Sequence, residues 1–288
     1  MVERAYAKIN LTLEVVGKRD DGYHNIRSIM QTVSLCDYIT VKKDESDAII
    51  IKSDKCNIPT DKRNLVYKAC ESFFRAAGIK GGAIIEIKKH IPVAAGLAGG
   101  SSDAAATLRA LNRLYKTGFS EDMLRKIGAI FGADVPYCIS GGTALCEGIG
   151  DIITPLKPLP RMDLVISIGG EGMSTPAMYA KFDDNMQQNT IDTDGMLDAI
   201  NKSDARGIAA RLGNTFERIC CEKRSFIIKI KSIMIQNGAL GAVMSGSGPS
   251  VFGFFHDKEE AARCSKLLIS KGYYAFYCNT INIANKKS

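Results

Sequence analysis

The residues best suited to chemistry lie in one short run, Pro92-Val93-Ala94-Ala95-Gly96-Leu97-Ala98-Gly99-Gly100-Ser101-Ser102-Asp103. Small side chains let backbone approach a ligand closely. An alanine-rich helix is expected to start here, and the unpaired N–H groups of a first helical turn, with the helix dipole, attract an anion such as phosphate. Ser101 and Ser102 stand where they can cap that helix, and one of the two hydroxyls where it can meet a nucleotide-bound metal ion. A plain strand-to-helix turn also uses glycine. Three glycines and two serines within seven residues, directly before a strong helix, favour the phosphate reading. The lysine of a P-loop is absent and G-x-G-x-x-G spacing is not met, so this is a different phosphate loop.

Other residues invite chemistry less strongly. Lys8 and Asn10 stand two apart in an apolar strand, Ala7 to Leu13, which puts both on one strand face. A lysine there either meets a partner or snorkels to solvent. Asp134 lies in Gly132-Ala133-Asp134-Val135-Pro136, where bonding local backbone is the ordinary role of aspartate. Tyr23 and His24 follow a turn signal, Asp20-Asp21-Gly22, and His24 has no partner set for a metal. Tyr179 follows Ser174-Thr175-Pro176 and reads equally as filler. Asn64 opens a helix, where asparagine is an ordinary N-cap. A second small-residue turn, Met244-Ser245-Gly246-Ser247-Gly248-Pro249-Ser250, reads equally as a plain hairpin turn and lacks the G-x-S-x-G of a nucleophile elbow.

These residues need elements to position them. Strands are expected at Ala48 to Lys52 and Ala83 to Lys89, the second alternating Ile85 and Ile87 with Glu86 and Lys88. The apolar spacing of Val66, Ala69, Cys70, Phe73 and Ala77 predicts a helix from Asn64, stopped by Gly78. A second helix runs from about Ser102 to Tyr115, and a third follows Ser120 and closes at Gly132. Pro155-Leu156-Lys157-Pro158-Leu159-Pro160 continues neither helix nor central strand, so the domain boundary is placed there, giving 1–155 and 156–288. Beyond it come strands at Leu164 to Ile168, Ser250 to Phe255 and Ala275 to Cys278. Helices are expected at Met196 to Leu212 and Phe226 to Gln236. A further helix begins at an Asp257/Glu260 capping box and ends at Gly272. The second half is thus α+β, with helices on one face of a sheet.

At 288 residues, 45% apolar and 24% charged, the chain reads as a folded protein of two domains. A net charge of +7, spread along the chain with only short clusters such as Lys286-Lys287, suits an anionic small substrate. Nucleic acid is not expected as a partner, since there is no zinc-ligand spacing, RNP-like motif or long basic stretch. Nine scattered cysteines without a C-x-x-C pair point to reduced thiols and a cytoplasmic protein. No apolar run is long enough to span a membrane, so no membrane partner is expected.

With both loops in view, Pro92 to Ser102 resembles the phosphate loop of the GHMP kinases, and Ser245 to Gly248 resembles their third motif. Ala5-Tyr6-Ala7-Lys8-Ile9-Asn10-Leu11, Asp20-Asp21-Gly22-Tyr23-His24 and Gly132-Ala133-Asp134-Val135-Pro136 are similar to segments of the branch whose substrate carries a cytidine diphosphate group. The resemblance extends from Ala5 to about Phe255. It implies an α+β, two-domain GHMP kinase fold: an N-terminal domain like ribosomal protein S5 domain 2 and a ferredoxin-like C-terminal domain. It also implies transfer of the γ-phosphoryl group of ATP, accompanied by Mg2+, to a substrate hydroxyl in non-mevalonate isoprenoid precursor synthesis. A monomer or homodimer is expected.

By that resemblance Lys8 and Asp134 are catalytic, and Asn10, Tyr23, His24 and Tyr179 bind the substrate. ATP falls to Pro92, Val93, Ala94, Ala95, Gly96, Leu97, Ala98, Gly99, Gly100, Ser101 and Ser102, with Asn64 and Leu65 near the adenine. One departure stands out. Val93, Ala94, Ala95 and Ala98 replace glycines found in some relatives, and alanine is strained wherever φ must be positive. Kinases of the same superfamily acting on homoserine, mevalonate or a sugar are the nearest alternative, and a non-catalytic binding protein of the same fold is the next.

Overall fold

The computed structural model describes residues 1–171, 174–184, 191–221 and 225–282. The Lys286-Lys287 pair lies outside the described residues. By contacts the chain divides into two units: Met1–Ala7 with Leu35–Val93 and Ala98–Gly141, and Lys8–Ser34 with Ala94–Leu97 and Gly142–Ser288.

In the first unit, the start of β1 (Val2–Lys18) pairs with the end of β2 (His24–Asp44). β3 (Ile49–Ser53) and β4 (Gly82–Lys88) extend the sheet, β3 parallel to β4 and β4 antiparallel to β2 from Tyr38↔Lys88 to Asp44↔Gly82. Four helices belong to this unit: α1 (Leu65–Ala77), α2 (Gly99–Tyr115), α3 (Glu121–Ala129) and α4 (Val135–Ser140). α1 has the caps its sequence announces. Asn64 accepts a bond from the Val66 N–H, and Gly78 ends the helix at φ 64°. Its inner face buries Phe73, whose ring meets Phe74, Tyr115 and Phe119 edge-on or tilted. Such burial contributes ~1.5–3 kcal/mol per side chain.

The length of β2 is not evident from sequence. Ser28, Gln31, Thr32 and Asp37 interrupt its apolar character, yet all four are buried, and each is bonded: Ser28 to the Thr12 carbonyl, Gln31 to the carbonyls of Thr32 and Ile281, for example. Two helix ends also differ from expectation. α3 stops at Ala129 and continues right-handed through Ile130, and Gly132 serves packing instead, since a Cβ there would lie 3.0 Å from Val135 Cγ2. Ser101 and Ser102 do not cap α2; its N-cap is Ala98.

In the second unit, the remainder of β1 and β2 carries β5 (Thr143–Glu147) and β6 (Ile152–Pro155), with β5 antiparallel to β2 at Ser28↔Cys146 and to β6 at Glu147↔Ile152. Then follow β7 (Asp163–Ile168), α5 (Thr175–Asp184), α6 (Thr193–Asn201), α7 (Ala205–Ala210), β8 (Gly213–Asn214), α8 (Thr215–Cys221), α9 (Ser225–Gln236), β9 (Gly241–Met244), β10 (Ser250–Phe255), α10 (Lys258–Ser270) and β11 (Tyr274–Asn279). The single helix expected from Met196 to Leu212 is two. Ser203 turns left-handed at φ 54°, and Asp204 starts α7 by accepting from the Gly207 N–H at 2.9 Å.

β7, β9, β10 and β11 form an antiparallel sheet in the order β11-β7-β10-β9. Numbered by their own sequence that is 4-1-3-2, with α9 and α10 as the connecting helices, the ferredoxin-like arrangement. Val165, Val251 and Phe255 pack with Ile227, Ile230 and Met234 of α9 and Cys264 and Leu268 of α10 in one core. Asp257 caps α10 by accepting from the Glu260 N–H. No helix among the described residues is long and apolar enough to cross a membrane.

Candidate active site

Of the run from Pro92 to Ser102, Ala94–Leu97 belongs to the second unit and the rest to the first. In the first unit, α2 opens at Gly99 and Gly100 with their N–H groups in the orphan first turn. Ser102 is buried and its hydroxyl donates to the Tyr6 carbonyl at 2.7 Å, which fixes the helix start on β1. Ser101 remains half-exposed. Leu65 lies beside this turn: a Cβ on Gly100 or on Gly132 would stand 3.8 Å from its Cδ1, and one on Gly132 would be 3.9 Å from Ser101 Oγ. The helix start, Leu65 and the Gly132–Asp134 turn therefore adjoin. Asn64 spends its side chain on the cap and on the Pro59 carbonyl at 2.7 Å. Asp134 precedes α4 at φ −81° and ψ −12° without a capping bond to that helix.

Ala94 and Ala98 stand at φ 53° and 55°, the left-handed region that the sequence flagged as costly for alanine. Ala98→Gly is therefore expected to leave stability unchanged or raise it by up to ~1 kcal/mol, against the usual loss of ~0.5–1 kcal/mol for a glycine inside a helix. Urea unfolding reads this directly. A loss of a full kilocalorie would contradict the left-handed backbone.

In the second unit, Lys8 is 5% exposed, so it does not snorkel. Its Nζ donates to Asn10 Oδ1 at 2.8 Å, and Asn10 Nδ2 donates to Ser28 Oγ at 2.9 Å. The strand alternation that put Lys8 and Asn10 on one face thus brings them into contact. The Lys8 backbone N–H bonds the Leu97 carbonyl at 3.2 Å, tying this strand to the Ala94–Leu97 stretch. The second small-residue turn is the β9–β10 hairpin, and it grips the same stretch. Ser245 Oγ donates to the Gly96 carbonyl at 3.0 Å, and Ser250 Oγ to the Ala95 carbonyl at 2.5 Å. Asn214, unsuspected from sequence, holds the hairpin by donating to the carbonyls of Met244 and Gly246.

The aromatic pair separates. Tyr23 is 62% exposed at the end of the Asp21-Gly22 turn, while His24 is buried and stacks on Tyr179 with ring centroids 4.6 Å apart and 18° between planes. His24 Nε2 lies 2.7 Å from Asp183 Oδ1, and Asp183 also meets Lys18 at 2.6 Å. Lys18 first, and His24 second, hold the Asp183 carboxyl below its usual range. Asp183 carries no sequence signal of its own.

The chain matches a family model described as the GHMP kinases N terminal domain at residues 64–142, and a second, GHMP kinases C terminal, at 196–273. A Clostridium perfringens protein named 4-diphosphocytidyl-2-C-methyl-D-erythritol kinase is 46% identical over 287 residues, 99% of this chain and 100% of the relative. A Clostridium novyi protein of the same name is 47% identical over 281 residues, 98% and 100% of the two chains. A crystal structure of 4-(cytidine 5'-diphospho)-2C-methyl-D-erythritol kinase superposes with a TM-score of 0.83 at 31% identity, covering 97% of this chain and 99% of that one. A likeness that runs the full length of the chain, at this identity, places it among the GHMP kinases, in the 4-diphosphocytidyl-2-C-methyl-D-erythritol kinase family.

Proposed function

We propose that this chain is an ATP-dependent kinase that phosphorylates the 2-hydroxyl of 4-diphosphocytidyl-2-C-methyl-D-erythritol, in the non-mevalonate route to isoprenoid precursors. The observation that carries the reading is Lys8: a buried ammonium, fixed on Asn10, in a strand whose backbone is bonded to the phosphate loop at Leu97. Phosphoryl transfer asks little covalent chemistry of a protein; it asks for positioning and for charge held where negative charge accumulates.

The roles follow from that requirement. The first-turn N–H groups of α2 hold the triphosphate. Lys8 stabilises the negative charge that gathers on the transferring phosphoryl group. Asp134 takes the proton of the attacking hydroxyl, because an alcohol is a poor nucleophile at neutral pH. Asn10 bonds the substrate, and Tyr23, His24 and Tyr179 hold the cytosine, whose face gains roughly 1–3 kcal/mol from stacking on an aromatic ring. Leu65 and Asn64 border the nucleotide; the Asn64 side chain acts there through the helix it caps.

Magnesium belongs to the substrate and arrives on the triphosphate. No group of three metal-ligating side chains stands ready among the described residues. Of the two loop serines Ser102 is committed to Tyr6, which leaves Ser101 as the hydroxyl suited to meet the ion. We further propose domains 1–155 and 156–288, a reading supported by the two family models falling on either side of that boundary. We also propose a cytoplasmic protein, monomer or homodimer, a location supported by nine scattered cysteines without a C-x-x-C pair.

A panel assay tests the reading. Purified protein, ATP and magnesium are offered the diphosphocytidyl substrate, homoserine, mevalonate and a sugar, and ADP release is followed. Turnover is expected with the first alone. Equal turnover of homoserine or mevalonate would overthrow the substrate, and no turnover of any alcohol would favour a binding protein.

A further inference from the structure

One buried cluster in the first unit has no part in the roles above. Lys89 Nζ donates to Asp37 Oδ2 at 2.5 Å and to Asp103 Oδ2 at 2.7 Å, and the three side chains are 4%, 0% and 5% exposed. Asp37 Oδ1 accepts from the backbone N–H groups of His90 and Ile91 at 2.5 and 2.7 Å, the two residues that lead into Pro92. On the far side of the loop, a Cβ on Gly99 would stand 3.0 Å from Lys89 Nζ, and Asp103 belongs to the opening turns of α2. One ammonium thus ties the segment entering the phosphate loop to the helix leaving it.

We infer that Lys89, fixed between Asp37 and Asp103, is a positioning residue for nucleotide binding, setting the two flanks of the phosphate loop and the charge beneath its first-turn N–H groups. The inference rests on the proposed nucleotide site. Binding groups work when a supporting shell locks them in place, and this cluster is that shell. The charge follows from counting. Two carboxylates and one ammonium leave a net negative charge buried under a site meant for phosphate, unless one carboxyl keeps its proton. Asp103 is the group suited to do so. Its Oδ1 is buried with no hydrogen-bond partner among the described residues. Burial pushes it up to about 8, with Asp37 adding to the rise and Lys89 opposing it. Lys89 from the end of β4 and Asp37 from β2 are the charged groups acting on it most strongly. A protonated Asp103 makes the cluster neutral, and its ionisation at higher pH places an uncompensated charge below the triphosphate.

Lys89→Met alone would leave two facing carboxylates and risks not folding. The test therefore uses Asp103→Asn and the double variant Lys89→Met/Asp103→Asn, with ATP binding measured at equilibrium and KM for ATP, KM for the acceptor and kcat measured separately. The double variant is expected to fold by circular dichroism and to bind ATP about tenfold or more weakly, with acceptor KM within about twofold. Loss of folded fraction alone would lower apparent kcat and leave KM for ATP unmoved. The unmodified protein is expected to lose about threefold or more in ATP affinity from about pH 7 to pH 9, and Asp103→Asn to lose that dependence. A folded double variant that binds ATP like the parent overturns the inference, as does an unchanged pH profile in Asp103→Asn should the double variant not fold. Failure of the unmodified protein to bind ATP would instead overturn the nucleotide site itself.

Discussion

Asp134→Asn is expected to lower turnover by ~10²- to 10⁴-fold while nucleotide binding persists, because asparagine matches the carboxylate in size and cannot accept a proton at neutral pH. Asparagine keeps one side-chain oxygen as a hydrogen-bond acceptor. The Asp134 side chain makes no capping bond to α4, and the other end of that helix is held from α2, where Arg109 Nη1 donates to the Cys138 carbonyl at 2.9 Å. Single-turnover phosphorylation, with ATP binding measured beside it, separates the two effects. Turnover within about tenfold of the parent would remove Asp134 from the base role, since general-base catalysis is worth more than that. Loss of ATP binding in the variant would mean that its charge served the nucleotide and not the acceptor.

Gly96→Ala is expected to cost roughly 2–3 kcal/mol of stability, through backbone overpacking together with a strained φ. Gly96 stands at φ 76°, and a Cβ there would lie 2.2 Å from the Ser245 carbonyl oxygen and 3.2 Å from the Gly248 nitrogen. Both neighbours are backbone, so no rotamer change relieves the clash; the loop must part from the β9–β10 hairpin and give up the Ser245 bond to the Gly96 carbonyl. Gly100→Ala is the control, with only Leu65 Cδ1 at 3.8 Å nearby and an ordinary helical backbone. Thermal melting should show a fall of roughly 4–10 °C for Gly96→Ala and a small change for Gly100→Ala. Equal midpoints for the two would contradict the close approach of loop and hairpin.

What the sequence made legible was whatever has a local cause. The limits of α1 follow from an asparagine cap, an apolar stripe and a glycine, all within one stretch of chain. Lys8 and Asn10 are paired by strand alternation, which needs only their spacing. The Lys89 cluster is different. Its partners stand 52 and 14 residues away, and Lys89 beside Lys88 reads as the wet end of a strand until Asp37 and Asp103 are brought to it. A charged residue on an otherwise buried face, Asp37 among Leu35 and Ile39 or Asp103 before three alanines, is the signal that could have found it. Ala98 carries no mark of its left-handed backbone in its own residue type, since alanine is the usual helix former, and only the glycines of some relatives at that place pointed to it. The break between α6 and α7 was hidden for the opposite reason: Ile200 and Ile208 prolong an apolar rhythm across it, and that rhythm outweighed the serine and aspartate that end one helix and start the next.

The first two strands, 17 and 21 residues long, each hand part of their length to one unit and part to the other. A break after Pro155 would leave β8 without the β1 residues Thr12 and Leu13, and Thr280 without its bridge to Val33 of β2. Neither side of that break is thus a cassette that evolution or an engineer can lift out and splice elsewhere.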